Sequence, residues 1–447
     1  MTTIKAAALI TNSSLGIIRD AFITFENDRI TQIGKWSDYK SDSEKKSELI
    51  DLGDCILSAG FVQTHIHLCQ TLFRGLADDL YLLDWLQQRI FPFENAHSET
   101  SMTSSAEIGI LELLSNGTTT IMDMGSVRHY ESVLETVKKT GLRGYFGKAL
   151  MDENPLYPKL SESAKSALDS AQNQLKKYHH SENDRLRYAM TPRFILSCSD
   201  ELMIESHAVA KRNSKVLYHT HSSEQQAELA AINKRCGMDN VEYFEHLGLL
   251  DEQTALAHCI WLNEREIKLM QERKVRLLHC PSSNLKLGSG IAQIPELLEA
   301  GVQISLGADG APCNNNLDPF VEMRLAALIQ KPRLNPTVMN AKTVYELATI
   351  EGAKSLGWND EIGSLEVGKK ADIIALNLNR IWNPLLLEND HSIYSAIVYS
   401  AQRENVSDVW IDGKAIKRKN ELVGVDEGKT LDSARMELKR LLGRVDA

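Results

Sequence analysis

The chain has 447 residues, 43% of them hydrophobic and 25% charged, with a formal net charge of −10. That length accommodates one large domain and a smaller companion, and charges dispersed through a large apolar fraction argue against disorder. An acidic balance without a long basic run argues against a nucleic-acid polymer as partner, and no apolar stretch reaches the roughly 18 residues of a membrane span.

In chain order, the N-terminal "MTTIKAAALITNSSLG" carries one lysine and a short apolar patch. It reads as a strand rather than a signal peptide. Residues 1–58 read as short strands split by polar turns: "IKAAALIT", "AFITFEND", "RITQIGKW" and "ELIDLGDCILS". From residue 59 to 362 strand-like runs alternate with helical or loop segments. The runs are "GFVQTHIH", "TTTIMDM", "RGYFGKALM", "RLRYAMTP", "KVLYHTH", "TALAHC", "VRLLHC" and "VQISLGAD". Alternation of this kind implies parallel pairing, and eight such units make a (β/α)8 barrel. Residues 363–425 return to short strands, "DIIALNL" and "SDVWIDGKAI". Residues 426–447 hold Leu431, Ala434, Leu438 and Leu441 at helical spacing, the pattern of a packing helix. The expected fold is α/β: a TIM-like barrel with a small β-sandwich domain built from both chain ends. The seven cysteines form no CxxC, so neither a disulfide framework nor a cysteine–zinc knuckle is expected, and a reducing cytoplasm fits.

Barrel chemistry belongs at the carboxyl ends of the strands. His65 and His67 end the first run, and period 2 puts both on one side of it. His221 ends the fifth run, His258 the sixth and Asp309 the eighth. Imidazoles with a carboxylate suit a borderline divalent ion, zinc first and iron or manganese next. A lone HxH is weak evidence: His219 also precedes a histidine by two, and such a residue can simply pack or hydrogen-bond. The weight lies in the set, because a purely structural core would place Val, Ile or Leu at those strand ends.

The motifs "GFVQTHIHLCQTLFRGLADDL", "HTHSSE", "LAHCIWL", "HCPSSNLKLGSGI", "LGADGAPCNNNLDPFVEMRLAAL" and "IGSLEVGKKADIIAL" resemble those of the amidohydrolase superfamily, in its deaminase and chlorohydrolase branch. The resemblance covers nearly the whole chain. It implies one divalent ion per chain held by His65, His67, His221 and Asp309. It also implies that Glu224 carries a proton between water and a ring nitrogen, that Asp309 accepts the water proton, and that His258 orients the attacking water. Binuclear relatives use a carboxylated lysine on the fourth strand; "RLRYAMTPRF" has none, and Lys148 on the third strand reads as a pocket or structural residue. The other zinc deaminase design needs a PCxxC, which is absent. Barrels of this superfamily that have lost their ligands serve as binding or scaffold proteins; this chain keeps every ligand type.

Two sets of residues bear on the substrate. "FRGLADDLYLLDWLQQRIFPFE" resembles deaminases of 5′-modified adenosines, in which a glutamate matching Glu94 binds ribose hydroxyls. Gln70 and Arg193 resemble instead the amide and arginine of guanine deaminases. His279, in "LLHCPSSN", is a further expected substrate-side residue. 5′-Deoxyadenosine deaminases resemble this chain in both sets, and "MDENPLYPKL" offers no arginine for a charged tail. The expectation is therefore a cytoplasmic, homo-oligomeric hydrolase that deaminates an adenosine-type nucleoside with a small uncharged 5′ group. A guanine-type purine or pterin, or an amino- or chlorotriazine, is the alternative substrate.

Overall fold

The computed structural model describes residues 1–40, 48–381, 383 and 387–445. The chain divides into two compact units. One comprises Met1–Gln63, Leu111–Thr120 and Asp318–Val425, the other Thr64–Ile110, Ile121–Leu317 and Asp426–Ala447. Residues 318–362, expected with the barrel, thus group with the terminal strands. A local tie accounts for this: Asp318 caps the helix Pro319–Leu328 through Phe320 N and accepts Arg403 Nε at 3.1 Å.

In the first unit both chain ends share one nine-stranded sheet. Ile56–Ala59 is the seam. It runs parallel to Thr2–Ile10 and antiparallel to Ile373–Leu376. Alternate residues of these strands and of Ile17–Glu26, which pairs antiparallel with Thr2–Ile10, among them Ile4, Ala6, Ile23, Phe25, Leu57, Ala59, Ile373 and Ala375, converge in one apolar core with Trp410. The residues between them, Ile56, Ser58, Ile374 and Leu376, are buried as well, so these central strands are covered on both faces.

The eight expected barrel runs are strands of a second sheet with the expected neighbours. They are Phe61–His67, Thr118–Met124, Arg143–Gly147, Leu186–Pro192, Leu217–Ser222, Thr254–His258, Arg276–His279 and, in two pieces, Gln303–Leu306 and Asp309–Gly310. The first piece of the eighth strand pairs with the seventh and the second piece with the first, which closes the ring. Closure needs a near-bare backbone at Gly307, where a β-carbon would lie 2.8 Å from the backbone of His65. Strand residues such as Phe61–His67 and Thr118–Met124 are buried throughout, as in a sheet covered on both faces.

The helix Glu427–Val445 buries Ala434, Glu437 and Leu441, and Ala434 and Leu441 join an apolar core within the second unit. Leu438 packs at the edge, whereas Leu431, expected in the same stripe, is exposed. Residues 446–447 of the expected terminal segment lie outside the described residues. Among the described residues no helix is long and apolar enough to cross a membrane.

Candidate active site

The candidate metal ligands converge at the carboxyl ends of the strands. His65 Nε2 and His67 Nε2 each lie 3.3 Å from Asp309 Oδ1. His67 Nε2 is 3.2 Å from His221 Nε2. His65, His221, His258 and Asp309 offer ligand atoms all within 4.8 Å of one another. His258, expected only to orient water, is therefore as close to the centre as the others. His67 falls outside that group of four but touches two of its members.

The surrounding bonds select one tautomer. Nδ1–H of His67 donates to the Met124 carbonyl at 2.7 Å, and that of His221 to the Arg193 carbonyl at 2.7 Å. His258 Nδ1 donates to Asn284 Oδ1 at 2.8 Å. Each bond leaves the Nε2 lone pair facing the centre, the arrangement that supports metal ligation. His65 Nε2 and His258 Nε2 are buried without a hydrogen-bond partner. Buried polar atoms left in this way, beside a carboxylate, fit a divalent cation. His65 Nδ1 is hydrogen-bonded to His219 Nε2 at 2.9 Å, so the second histidine pair supports the first.

Burial lowers the His65 pKa to about 4, which keeps the imidazole neutral. Burial alone would raise Asp309, but the neighbouring His65 and His67 imidazoles outweigh that and hold it well below the usual carboxylate range. Ser283 Oγ donates to Asp309 Oδ2 at 2.6 Å. Glu224 goes the other way: burial, then the charges of Asp309 and Glu228, push its carboxyl well above the usual range. Its Oε2 lies 3.5 Å from His258 Nε2. Backbone conformation at the centre is unusual as well. His258 (φ 72) and Asp309 (φ 62) occupy the left-handed region, which non-glycine residues adopt only where surrounding structure holds them.

These groups open into a cavity lined by His67, His221, Glu224, Glu228, His258 and Asp309. Gln70 and Arg193 line it too, with Leu82, Trp85, Leu86 and Phe194 as its apolar wall. Glu94 lies behind, buried, accepting Gln70 Nε2 at 2.8 Å and Arg193 Nη1 at 2.6 Å. Burial opposes the Arg193 charge, but Glu94 outweighs it and raises the guanidinium pKa. The Trp85 indole N–H is buried in the wall without a partner. His279 does not line the cavity: its carbonyl accepts Gly307 N at 2.9 Å, and both ring nitrogens are buried and unpartnered. Lys148 is also outside, with Nζ on the Val127 carbonyl and on Glu162.

Ser283, Asn284, His219, Glu228 and Trp85 are site residues that the strand-end pattern alone does not find. The signal for two of them was present in the "SSN" of "HCPSSNLKLGSGI".

An α/β barrel with three imidazoles and a carboxylate at its strand ends defines a class, the metal-site barrel hydrolases. The chain belongs to the amidohydrolase family, whose pattern matches residues 56–416. It is 36% identical over 430 residues to a 5′-deoxyadenosine deaminase of Methanothermobacter thermautotrophicus, covering 96% of each chain. It is 34% identical over 436 residues to a 5-methylthioadenosine/S-adenosylhomocysteine deaminase of Thermodesulfovibrio yellowstonii, again over 96% of each. Its fold superposes on an adenosine deaminase from Xanthomonas campestris with bound zinc at a TM-score of 0.90 and 28% identity, covering 99% of this chain and 98% of that one.

Proposed function

We propose that this protein is a hydrolytic deaminase of adenosine-type nucleosides, 5′-deoxyadenosine or a similar 5′-modified adenosine. Water adds at the ring carbon bearing the amino group, ammonia leaves, and the inosine analogue remains. The observation that carries the reading is the pair of carboxyls flanking His258 Nε2, Glu224 at 3.5 Å and Asp309 at 4.0 Å, with pKa values driven apart. Divergent carboxyls at one site assign an acid and a base.

His65, His67, His221 and Asp309, with His258 within reach, would hold one divalent ion, zinc first. Such an ion supplies Lewis acidity that makes water nucleophilic near neutral pH. Asp309, held anionic, accepts a proton at its carboxylate. Glu224, held protonated, delivers one to the ring nitrogen; the proton on Asp309 then goes to the leaving amine, and Glu224 regains one from the adduct's hydroxyl as the carbonyl forms. His258, fixed by Asn284, orients the water. The apolar wall of Leu82, Trp85, Leu86 and Phe194 excludes bulk water and suits a flat heteroaromatic ring. Gln70 and Arg193 supply polar recognition at the cavity wall; Glu94, expected to address sugar hydroxyls, is instead buried behind them and holds both in place. The names of the two enzymes with which the chain shares about a third of its residues support an adenosine nucleoside.

Seven free cysteines, six of them buried, support the cytoplasmic assignment. The homo-oligomer is an expectation for sedimentation to test.

The test is ammonia release from 5′-deoxyadenosine, methylthioadenosine, adenosine, adenine, guanine and aminotriazines. A nucleoside should have the highest kcat/KM. Guanine first, or a triazine first, would replace this reading with one of its alternatives.

A further inference from the structure

We infer that Glu228 is the positioning residue for Glu224; the inference rests on the deaminase reading above. Glu224 sits three residues beyond His221, just past Ser223, whose φ is 52. A serine in the left-handed region persists only when its neighbours hold it. On one side the next strand does so: Cys259 N donates to the Ser222 carbonyl and Ile260 N to the Ser223 carbonyl, each at 2.9 Å.

Glu228 holds the other side. Its side chain is only 1% exposed. Oε2 accepts the backbone N–H of Glu224 at 2.8 Å and that of Gln225 at 3.3 Å. Oε1 accepts Asn240 Nδ2 at 2.9 Å. The helix Gln226–Cys236 begins there, so Glu228 reaches back one turn to satisfy N–H groups that the helix cannot. The same carboxylate lines the catalytic cavity. A Glu224 whose backbone is pinned on both sides can present its carboxyl at His258 without searching rotations of the turn, which is preorganisation of a proton carrier.

Ordinary helix capping would produce the same hydrogen bonds, so the test must read the route to Glu224. The variants are Glu228→Leu, which keeps bulk and removes the acceptor, and Glu228→Gln, which keeps an acceptor. Asn240 Oδ1 is buried and unpartnered, and an amide flip lets it receive the new N–H of glutamine. Each variant is made in the wild-type chain and with Glu224→Gln, and assayed on 5′-deoxyadenosine with zinc content and Tm recorded.

In the wild-type chain Glu228→Leu should lower kcat about a hundredfold, the size of a lost acid–base contribution. KM should move less than about threefold, with zinc kept, and Glu228→Gln should recover to within about tenfold. In the Glu224→Gln background Glu228→Leu should cost no more than about twofold, because nothing remains to position.

An equal loss in both backgrounds would overturn the inference while leaving the deaminase reading intact. Near-wild-type turnover of Glu228→Leu would do the same. Near-wild-type turnover of Glu224→Gln itself would sink the proton-carrier reading and this inference with it. If Glu228→Leu does not fold, the Glu228→Gln cycle decides. A loss confined to the chain that has Glu224 supports the inference; a loss in both backgrounds, or full turnover in both, overturns it.

Discussion

Arg193 Nη1 donates to Glu94 Oε2 at 2.6 Å, with both side chains buried, and Gln70 Nε2 donates to the other Glu94 oxygen. Two residue sets that point to different substrates when read from the sequence form one hydrogen-bonded unit. Removing one member of a buried pair leaves an uncompensated charge, which typically costs about 3–5 kcal/mol. Glu94→Ala and Arg193→Ala should therefore each lower Tm as well as kcat/KM. The double variant should lose less than the sum, with a coupling of at least about 1 kcal/mol in denaturant titrations. Additive losses would show that the two residues act separately.

Metal content is the second expectation. Protein purified without chelators from zinc-supplemented medium should carry about one divalent ion per chain. Chelation should abolish ammonia release, and added zinc should restore it. Elemental analysis finding no ion, or two tightly bound ions, would contradict this site.

His219 supports His65 through its ring, so its loss should be felt by the ion. His219→Ala should weaken metal affinity by about 10–100-fold, the usual effect of losing a ligand's outer partner. Competition with a chromogenic chelator measures it. Unchanged affinity would make His219 a packing residue only.

Glu266 gives a pH signature remote from the catalytic centre. Its carboxyl accepts Asn263 N at 3.0 Å and Val241 N at 2.9 Å, and burial pushes its pKa up to about 7 from an ordinary 4.5. The folded chain then keeps a proton that the unfolded chain has lost. Stability from this group falls as pH rises from 4.5 through about 7. Glu266→Gln, which cannot titrate, should flatten that part of the profile. Urea midpoints at intervals across this window check it, and an unchanged slope would remove Glu266 as the cause.

The C-terminal helix gives a paired test. Leu441 is fully buried and Leu431 is 46% exposed. Leu441→Ala should cost about 2–5 kcal/mol, and Leu431→Ala less than about 0.5 kcal/mol. Comparable losses would place Leu431 in a contact that this structure does not contain.

Much of this protein was legible without coordinates, for a physical reason. Period-2 runs ending in His65 and His67, in His221, in His258 and in Asp309 record which strands are buried and where they stop. Those facts are local, and each strand writes them in its own residues. Tertiary structure decided what local pattern cannot carry. Glu94 meets Arg193 across 99 residues, and Ser283 meets Asp309 across 26. Such pairs exist only after loops close and strands take their register. Leu431 keeps helical spacing yet faces water, because spacing defines a stripe and not how far the neighbouring surface extends along it. His279 ends a strand just as His258 does, but its ring is buried outside the cavity. His258, at its left-handed φ of 72, brings its ring as close to the candidate metal centre as His65, His221 and Asp309 do. Side-chain direction at a strand end depends on that last backbone angle, which neighbouring strands impose and no single strand encodes.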